Sequence, residues 1–305
     1  LAMDCLDVTY WTELDVFAQY PVGARSKALV ISPDVAPHGI KASWPYLFKR
    51  SIKKYPDQFW CEIVAYRIGL QLGFNVPKAV PSLKTNDLGH TFCGALIEWF
   101  HHKDYEKFAP AGDYFVRRDP NFDREKGAKH SIEGLRIIAK ALKVDYVEWL
   151  ENMALFDAVI GNTDRHQENW GFIFSPLTSE CQLAPFFDNG TSLCYERFPE
   201  HVADWTDHRL REHVSRGKHH LRKTLGKDEY QRLGHLELIK ELCDKKEELK
   251  QRVAERLARL NHDFWDSTFA ELTEINCPVP LTRERAAWIV RVTNMRIELI
   301  KGVTS

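Results

Sequence analysis

The chain has 305 residues, of which 44% are hydrophobic and 12% aromatic, with 42 basic and 43 acidic side chains. This composition is typical of a globular protein and argues against a disordered or fibrous chain. Because the charges nearly cancel, no overall field favours nucleic acid or an anionic membrane, and any such binding would have to be local. The length allows one large domain or two lobes.

The seven cysteines are widely spaced and form no CxxC pair, which favours reduced thiols over a disulfide framework or a zinc ribbon. No apolar run reaches the roughly 20 residues of a membrane helix, and the first residues lack the pattern of a signal peptide. Since Met3 could be a natural start, Leu1 and Ala2 are expected to be an addition before it. We therefore expect a cytoplasmic protein that does not bind a membrane.

The first hundred residues alternate short strand-like runs with turn residues and contain one clear helix. The helix is predicted to begin near Asp57 and to end around Gly73. It places Phe59, Ile63 and Leu70 on one apolar stripe. Four strand-like runs are expected, at 28–32, 46–49, 76–80 and 92–98.

From about Ser131 onward the pattern becomes mainly helical. Apolar positions three and four apart predict helices over 132–142, 146–160, 237–260 and 283–300. Two strand-like runs interrupt them, at 170–174 and 182–187. A strand-rich first part followed by a mainly helical second part predicts an α+β protein.

A polar segment, 162–169, directly follows an apolar helix and precedes a strand-like run, so its side chains should project from a rigid base. Asp164 and Asn169 have the spacing of the aspartate and asparagine in the kinase catalytic loop HRDxxxxN. In that loop the aspartate accepts the proton of the attacking hydroxyl, and the asparagine binds Mg²⁺. The spacing predicts these two roles for Asp164 and Asn169.

A third carboxylate, Asp188, lies in the run 186–190 (FFDNG), at the end of a predicted strand. A kinase holds its metal-binding DFG aspartate in such surroundings. Phosphoryl transfer needs hard oxygen ligands for Mg²⁺, here Asn169 and Asp188, and a proton acceptor, here Asp164. Alone, each of the three could merely cap a turn or end a strand. Their combination favours the chemistry.

A short segment with a glycine, Gly23-Ala24-Arg25-Ser26-Lys27, precedes the first strand-like run. Its backbone N–H groups could cover the phosphates of a nucleotide. One glycine is not a GxGxxG motif, so a plain hairpin is the alternative interpretation.

Two further features suit a nucleotide site. Lys49 ends a strand and Glu62 lies on the next helix, as in kinases where a strand lysine on the phosphates is oriented by a helix glutamate. Alone, they could be a surface ion pair worth under about 1 kcal/mol. The segment from Glu98 to Phe100 lies where two lobes would join, so its backbone could bind adenine while its aromatic rings pack the hinge. Ordinary packing between lobes is the alternative there.

These residues resemble the HipA-like serine/threonine kinases of bacteria, which occur in toxin–antitoxin modules. The resemblance implies a two-lobed, protein-kinase-like fold with a β-rich N-lobe (1–98) and a mainly helical C-lobe (99–305). It also implies ATP and Mg²⁺ as cofactors. The segments that carry it are 23–27, 46–49, 59–77, 160–171 and 183–193.

The resemblance implies a role for each site residue. Asp164 would be the catalytic base, Asn169 and Asp188 the magnesium ligands, Lys49 the phosphate-binding lysine and Glu62 its partner. A further residue, His166, lies inside the family's catalytic-loop motif. It would either stabilise the loop by a hydrogen bond or contact phosphate or substrate.

The chain is shorter than full-length HipA and resembles the short members that lack the extra amino-terminal subdomain. A protein substrate is expected, and a small antitoxin or a separate protein like that subdomain is a further expected partner. Family members phosphorylate themselves near the phosphate loop, and Ser26 is the serine in that place.

The run 216–222 (RGKHHLR) is locally basic. It is expected either to form a solvated, partly helical face or to bind an acidic or nucleic-acid-bearing substrate. A zinc site is not expected, because no HExxH motif or paired CxxC accompanies the histidines.

Three functions remain open from the sequence. The leading hypothesis is a protein serine/threonine kinase. A second keeps the scaffold but transfers phosphate to a lipid or small molecule, because an aspartate base accepts any suitably placed hydroxyl. A third is an inactive nucleotide-binding module that acts through a partner.

Overall fold

The computed structural model describes residues 4–14, 26–102, 104–127, 129–223 and 231–305. Within this part of the chain the strands are β1 (Leu6–Asp7), β2 (Thr12–Leu14), β3 (Lys27–Ile31), β4 (Pro45–Arg50), β5 (Ala79–Thr85), β6 (Thr91–Glu98), β7 (Lys107–Pro110), β8 (Gly171–Ser175), β9 (Glu180–Leu183), β10 (Lys218–Arg222) and β11 (Arg232–Gly234). The helices are α1 (Trp60–Leu72), α2 (Ala111–Arg118), α3 (Ile132–Leu142), α4 (Val147–Ile160), α5 (Pro199–Val202), α6 (Asp207–Ser215), α7 (His235–Cys243), α8 (Glu247–Ala258), α9 (His262–Leu272) and α10 (Arg283–Thr304).

The amino-terminal sheet has six strands in the order β1-β5-β6-β4-β3-β2. Lys27 pairs directly with Lys49, and Tyr46 pairs directly with Glu98. Side chains of paired residues lie on the same face of a sheet, and successive side chains alternate between faces. Lys27 and Lys49 therefore share one face, whereas Tyr46 and Glu98 lie on the other.

Helix α1 packs under the face of the sheet that carries Lys49. It begins slightly later than the predicted start at Asp57, because 56–59 form turns. It ends at the predicted place, where Gly73 has a φ of 77°. This left-handed conformation favours glycine, so the residue stops the helix.

A single hydrophobic cluster extends from α1 into the helical part of the chain. It includes Trp60 of α1, Phe156 of α4 and Ile289 of α10. Helix α4 is buried on almost every side from Leu150 to Ile160. The polar segment that follows α4 is therefore attached to a rigid base.

Two smaller sheets complete the fold. One has the order β7-β8-β9, in which β7 follows the segment 98–100 along the chain and β8 follows the polar segment 162–169. The other pairs β10 with β11. The predicted division into 1–98 and 99–305 stays a prediction. The six-stranded sheet ends at Glu98, and the core continues past it.

The predicted helix over 237–260 is wrong as a single element. The chain forms α7, a turn at Asp244, and then α8. All five residues of the charged run 244–248 are exposed, and the N–H of Lys246 bonds to the carbonyl of Cys243, which closes a turn.

The predicted strand over 182–187 is too long. Strand β9 ends at Leu183, and the chain then leaves the sheet. Pro185 has no N–H to donate, and the N–H of Phe186 instead bonds to the carbonyl of Asn75. Phe186 thereby packs in the core against Phe74 and Phe156.

The expectation of a solvated, partly helical basic face at 216–222 is also wrong. Residues 218–222 form β10, and His219, His220, Leu221 and Arg222 are buried. The strand packs beneath the polar segment that follows α4, so burial in the tertiary structure overrides the local charge pattern.

The strand predicted at 76–80 begins later, at Ala79, and continues to Thr85 as β5. Two of the predicted helices agree with the structure. Helix α3 covers the predicted 132–142, and α10 covers the predicted 283–300. All seven cysteines lie in the described ranges and are free thiols. In the described part of the chain, no helix combines the length and hydropathy needed to cross a bilayer.

Candidate active site

Lys49 lies at the centre of an ion cluster that joins the sheet to the helical part of the chain. Its Nζ atom is 2.7 Å from Oε1 of Glu62 and 2.5 Å from Oδ1 of Asp188. Lys49 and Glu62 are almost fully buried, whereas 30% of the Asp188 side chain is exposed. The alternative of a surface ion pair for Lys49 and Glu62 is therefore excluded. Three residues that the sequence placed in the site are in direct contact.

The segment after Asp188 is held from the amino-terminal side. The other carboxylate oxygen of Glu62 accepts a hydrogen bond of 2.8 Å from the N–H of Asn189. Gln58 donates to the carbonyl of Gly190 at 2.9 Å. Asp188 itself has a φ of 57°, a conformation that is strained for a non-glycine residue. These contacts hold the strained turn in place.

On the other side of the site, Arg165 is buried in the polar segment 162–169, here called the catalytic loop. It makes a two-pronged ion pair with Asp157 of α4, at 2.7 and 3.1 Å. Burial raises the pKa of Asp157, and the adjacent guanidinium opposes this shift. Asp157 and Arg165 are 0% and 1% exposed, so they form a fixed internal frame.

The same guanidinium joins the two loops of the site. One nitrogen of Arg165 donates to the carbonyl of Phe187 at 2.5 Å and lies 3.4 Å from the carbonyl of Asn169. Another donates to the side chain of Asn189 at 2.8 Å. The guanidinium group of Arg165 therefore holds the residues on either side of Asp188 close to the backbone of Asn169.

Asp164 and Asn169 lie at opposite ends of the catalytic loop and contact each other. Nδ2 of Asn169 donates to the carbonyl of Asp164 at 2.8 Å, and the N–H of Asp164 donates to Oδ1 of Asn162 at 2.9 Å. Thr191, which follows the Asp188 turn, lies with its hydroxyl 3.4 Å from Oδ2 of Asp164. The structure thus brings together Asp164, Asn169 and the segment that follows Asp188.

His166 makes the loop-stabilising contact that was one of its two predicted roles. Its Nδ1 atom accepts a hydrogen bond of 3.2 Å from the N–H of Glu168. The ring also lies edge-on to His220, with 5.8 Å between centroids. Contact with phosphate or substrate stays a prediction.

The predicted phosphate segment lies only partly within the described residues. Gly23 and Arg25 lie outside the described residues. The carbonyl of Ser26 accepts a hydrogen bond of 3.1 Å from the N–H of Arg50, and exposed Lys27 is paired with Lys49. The end of this segment therefore lies beside the ion cluster.

The hinge segment contributes backbone and aromatic groups. The side chain of Glu98 lies on the face away from Lys49, where it pairs with Lys41. The N–H of Glu98 donates to the carbonyl of Lys78, and the N–H of Trp99 donates to the carbonyl of Pro45. The prediction that the hinge backbone binds adenine therefore rests on the Glu98 carbonyl and the Phe100 N–H.

Phe100 packs next to the turn at Asp188. Its ring stacks on that of Phe187 at 5.0 Å, and the ring of Phe108 lies edge-on to it at 5.3 Å. The packing that was the alternative prediction for this segment is present. Adenine binding at the same place stays a prediction.

A layer of buried histidines lies beneath the catalytic loop. Burial lowers the pKa of His219 to about 3, with a further contribution from the charge of Arg165. Burial, followed by the charge of Arg232, lowers the pKa of His220 to about 3. These imidazoles are neutral at physiological pH, so the layer adds polar atoms without adding charge.

Sequence reasoning missed the buried frame of the site. Asp157 carried one usable signal, since it is the carboxylate within the otherwise apolar run 153–160. Arg165 sits between two residues that were selected, but nothing in the spacing indicated that it is buried. Gln58 and the histidine layer gave no local signal, because their contacts span long separations in the chain.

The donor set at the meeting point of the two loops suits a hard divalent cation. Mg²⁺ prefers oxygen ligands, and the site offers the carboxylate of Asp188 and Oδ1 of Asn169. Since Nδ2 of Asn169 is used within the loop, Oδ1 is the amide atom suited to a cation. The ammonium group of Lys49 is suited to phosphate oxygens.

Comparison with known proteins places this site in a family. A profile of the HipA-like C-terminal domain matches residues 21–264. The serine/threonine-protein kinase CtkA of Helicobacter pylori is 45% identical over 42 residues, which are 14% of this chain and only 13% of that protein.

Two solved structures resemble the chain to different degrees. The crystal structure of the H. pylori proinflammatory kinase CtkA has a TM-score of 0.69 at 18% identity and covers 98% of this chain and 96% of that chain. A chain from the Shewanella oneidensis toxin–antitoxin complex of HipA, HipB and operator DNA has a TM-score of 0.36 at 12% identity, covering 93% and 66%. The second likeness is too low to support a conclusion. The first confirms the predicted α+β, kinase-like fold, and the profile match over most of the chain shows that it belongs to the family of HipA-like C-terminal domains.

Proposed function

We propose that this chain is an ATP- and Mg²⁺-dependent protein kinase that phosphorylates serine or threonine hydroxyl groups. The observation that carries the proposal is the buried ammonium group of Lys49, which contacts both Glu62 and Asp188. A lysine held in this way is suited to the phosphates of a nucleotide, and a carboxylate beside it to the accompanying metal ion. Family membership supports the same function.

Each residue has a defined task in the proposed reaction. Lys49 binds phosphate oxygens while Glu62 holds its ammonium group in place. Asn169 and Asp188 hold Mg²⁺, which supplies positive charge against the phosphates when it is bound. Asp164 accepts the proton of the attacking hydroxyl as the new oxygen–phosphorus bond forms and ADP departs with the electron pair of the broken bond.

The test is transfer of labelled γ-phosphate from ATP to protein in the presence of Mg²⁺. We expect label on serine or threonine with the unaltered chain. Asp164→Asn should lower the rate by about 10² to 10⁴-fold, because the proton acceptor is lost. Asp263→Asn, at an exposed aspartate of α9, is the matched control and should keep the rate.

Three outcomes would overturn the proposal. Equal labelling by the unaltered chain and Asp164→Asn would remove the assigned base. Label that appears only on a lipid or an aminoglycoside would replace the protein acceptor by the second hypothesis. Binding of ATP without transfer under any divalent metal would favour the inactive module.

The chain is also proposed to phosphorylate itself, with Ser26 as the acceptor. Ser26 is exposed and directly precedes β3, close in the sheet to Lys49. Mass spectrometry of the chain after incubation with ATP should place phosphate on Ser26. If the Ser26→Ala variant still incorporated the same number of phosphate groups per chain, this assignment would be contradicted.

For partners, we propose a protein substrate and, on the basis of family membership, a small antitoxin or a separate protein like the family's amino-terminal subdomain. No contact with a membrane is proposed, and nucleic acid would enter only through the substrate. Addition of such a purified protein should change the transfer rate if it is a true partner. An unchanged rate and no complex on gel filtration would exclude it.

A further inference from the structure

Beneath the catalytic loop, several buried polar atoms have no hydrogen-bond partner among the described residues. They include both ring nitrogens of His219 and Nδ1 of His235. Buried polar groups are normally paired, and apolar side chains would avoid the cost of burying them. Polar side chains at this place therefore call for a reason other than packing.

One histidine of this layer contacts the catalytic loop directly. Nε2 of His235, the first residue of α7, is 2.9 Å from the carbonyl of Asn162. A carbonyl only accepts hydrogen bonds, so Nε2 carries the ring proton and donates. His235 is 2% exposed, and burial lowers its pKa well below the usual value. The ring is therefore a neutral, fixed donor.

Asn162 passes this constraint to the proposed base. Its side-chain oxygen accepts a hydrogen bond of 2.9 Å from the N–H of Asp164, and its own N–H bonds to the carbonyl of Asp157 at 2.9 Å. The chain of contacts thus runs from His235 through Asn162 to the backbone of Asp164. A shift of the Asn162 carbonyl would move the residue that holds Asp164.

The position of the imidazole ring is determined by its neighbours. A Cβ atom at Gly217 would lie 2.8 Å from Nδ1 of His235, so only glycine leaves room for the ring. His219 packs edge-on against it, with 4.4 Å between centroids. Gly217 and His219 both belong to the basic run 216–222, so this run packs against two sides of the His235 ring.

We propose that His235 is a positioning residue for the catalytic base, acting through the carbonyl of Asn162. This inference rests on the proposed kinase function, because it assigns the purpose of the contact to phosphoryl transfer by Asp164. The role is distinct from nucleotide binding, since Lys49 and Asp188 lie on the other side of the site.

The first variants separate the hydrogen bond from the volume of the ring. His235→Gln keeps a donor that can reach the place of Nε2, whereas His235→Leu keeps an apolar side chain of similar size. We expect kcat of the leucine variant to fall roughly tenfold with an unchanged KM for ATP, because the variant loses one buried hydrogen bond. The glutamine variant should recover most of this loss. His262→Leu, at an exposed histidine of α9, is the control.

A second readout does not depend on activity. Hydrogen exchange of the backbone amide of Asp164 reports the bond to Asn162. We expect exchange about tenfold faster in His235→Leu and near the original rate in His235→Gln. If the leucine variant does not fold, Gly217→Ala displaces the ring without removing it and should accelerate the same amide.

The outcomes distinguish this inference from the proposed function. If the unaltered chain transfers no phosphoryl group but exchange is faster in His235→Leu, the kinase proposal and the catalytic purpose of the contact are overturned. The structural claim, that His235 holds Asn162 and through it Asp164, would still stand. Unchanged exchange in both His235→Leu and Gly217→Ala would overturn the inference whatever the activity. Equal losses of kcat in the leucine and glutamine variants would also overturn it.

Discussion

The two sides of the candidate site are held by different kinds of interaction. Asp188 is partly exposed and is held by the ammonium group of Lys49, with which a bound nucleotide and cation would compete. Asp164 is held through its backbone by a frame that is shut off from solvent, in which Arg165 and Asp157 form the central ion pair. The side that is proposed to exchange ligands thus pairs a partly exposed carboxylate with a lysine, whereas the side that is proposed to keep its geometry uses buried, directional contacts.

The largest expected effect comes from breaking the buried frame. Arg165→Met would leave Asp157 without its partner in a fully buried position and remove the bonds to both loops. We expect the free energy of unfolding to fall by about 3 to 5 kcal/mol, which urea denaturation would measure. Arg211→Met removes an exposed ion pair with Glu298 and should cost less than about 1 kcal/mol. Equal losses in the two variants would refute the contrast.

Breaking the exchangeable side should lower activity, and it also leaves the buried carboxylate of Glu62 without its ammonium partner. Lys49→Met removes the ammonium group that is proposed to bind phosphate, and we expect kcat/KM for ATP to fall by about 10² to 10³-fold. Steady-state kinetics with ATP as the varied substrate would measure the change. Lys84→Met, at a partly exposed lysine of β5 that pairs with Glu13 of β2, provides a matched comparison. Retention of full activity in Lys49→Met would remove Lys49 from the site.

The histidine layer predicts a dependence of stability on pH. His219 and His220 have folded pKa values of about 3, against 6.5 when unfolded. Between these values the unfolded chain binds more protons, so the stabilising contribution is complete above pH 6.5 and is lost as the pH falls. Each histidine should lower the free energy of unfolding by about 1.4 kcal/mol per pH unit in this window.

Urea denaturation at pH 7, 6 and 5 would measure this slope. His219→Leu should make it shallower, while His262→Leu, at an exposed position, should leave it unchanged. A slope that is the same in all three proteins would show that His219 does not titrate on unfolding as the burial predicts.

The smallest effect is expected where the two sides touch. Thr191→Val removes the hydroxyl that lies 3.4 Å from Oδ2 of Asp164. A contact of this length is weak, so we expect the transfer rate to fall by roughly threefold to tenfold. The unfolding midpoint should change little. A loss as large as that of Lys49→Met would mean that Thr191 acts directly in the reaction.

The sequence was sufficient for those parts of the fold that depend on local pattern. The period of apolar residues located α3 and α4, and motif spacing selected Lys49, Glu62 and Asp188 before their contacts were visible. Spacing succeeds here because loop length and strand order constrain where these side chains can meet.

The sequence was insufficient where burial depends on distant neighbours. The run 216–222 has the composition of an exposed face, yet its residues 219–222 are buried. His235 and Asn162 are far apart in the chain, and no local pattern joins them. The accessible half of the site was therefore predictable, and the buried frame that holds Asp164 was not.

The central claim is that the two loops hold one divalent ion through Asn169 and Asp188, and a double-mutant cycle on the affinity for ATP in Mg²⁺ tests it most directly. Asn169→Ala, Asp188→Ala and the double variant would be measured by titration calorimetry. If both side chains bind one ion, the second substitution should add little to the loss caused by the first. Losses that simply add would contradict a shared ion.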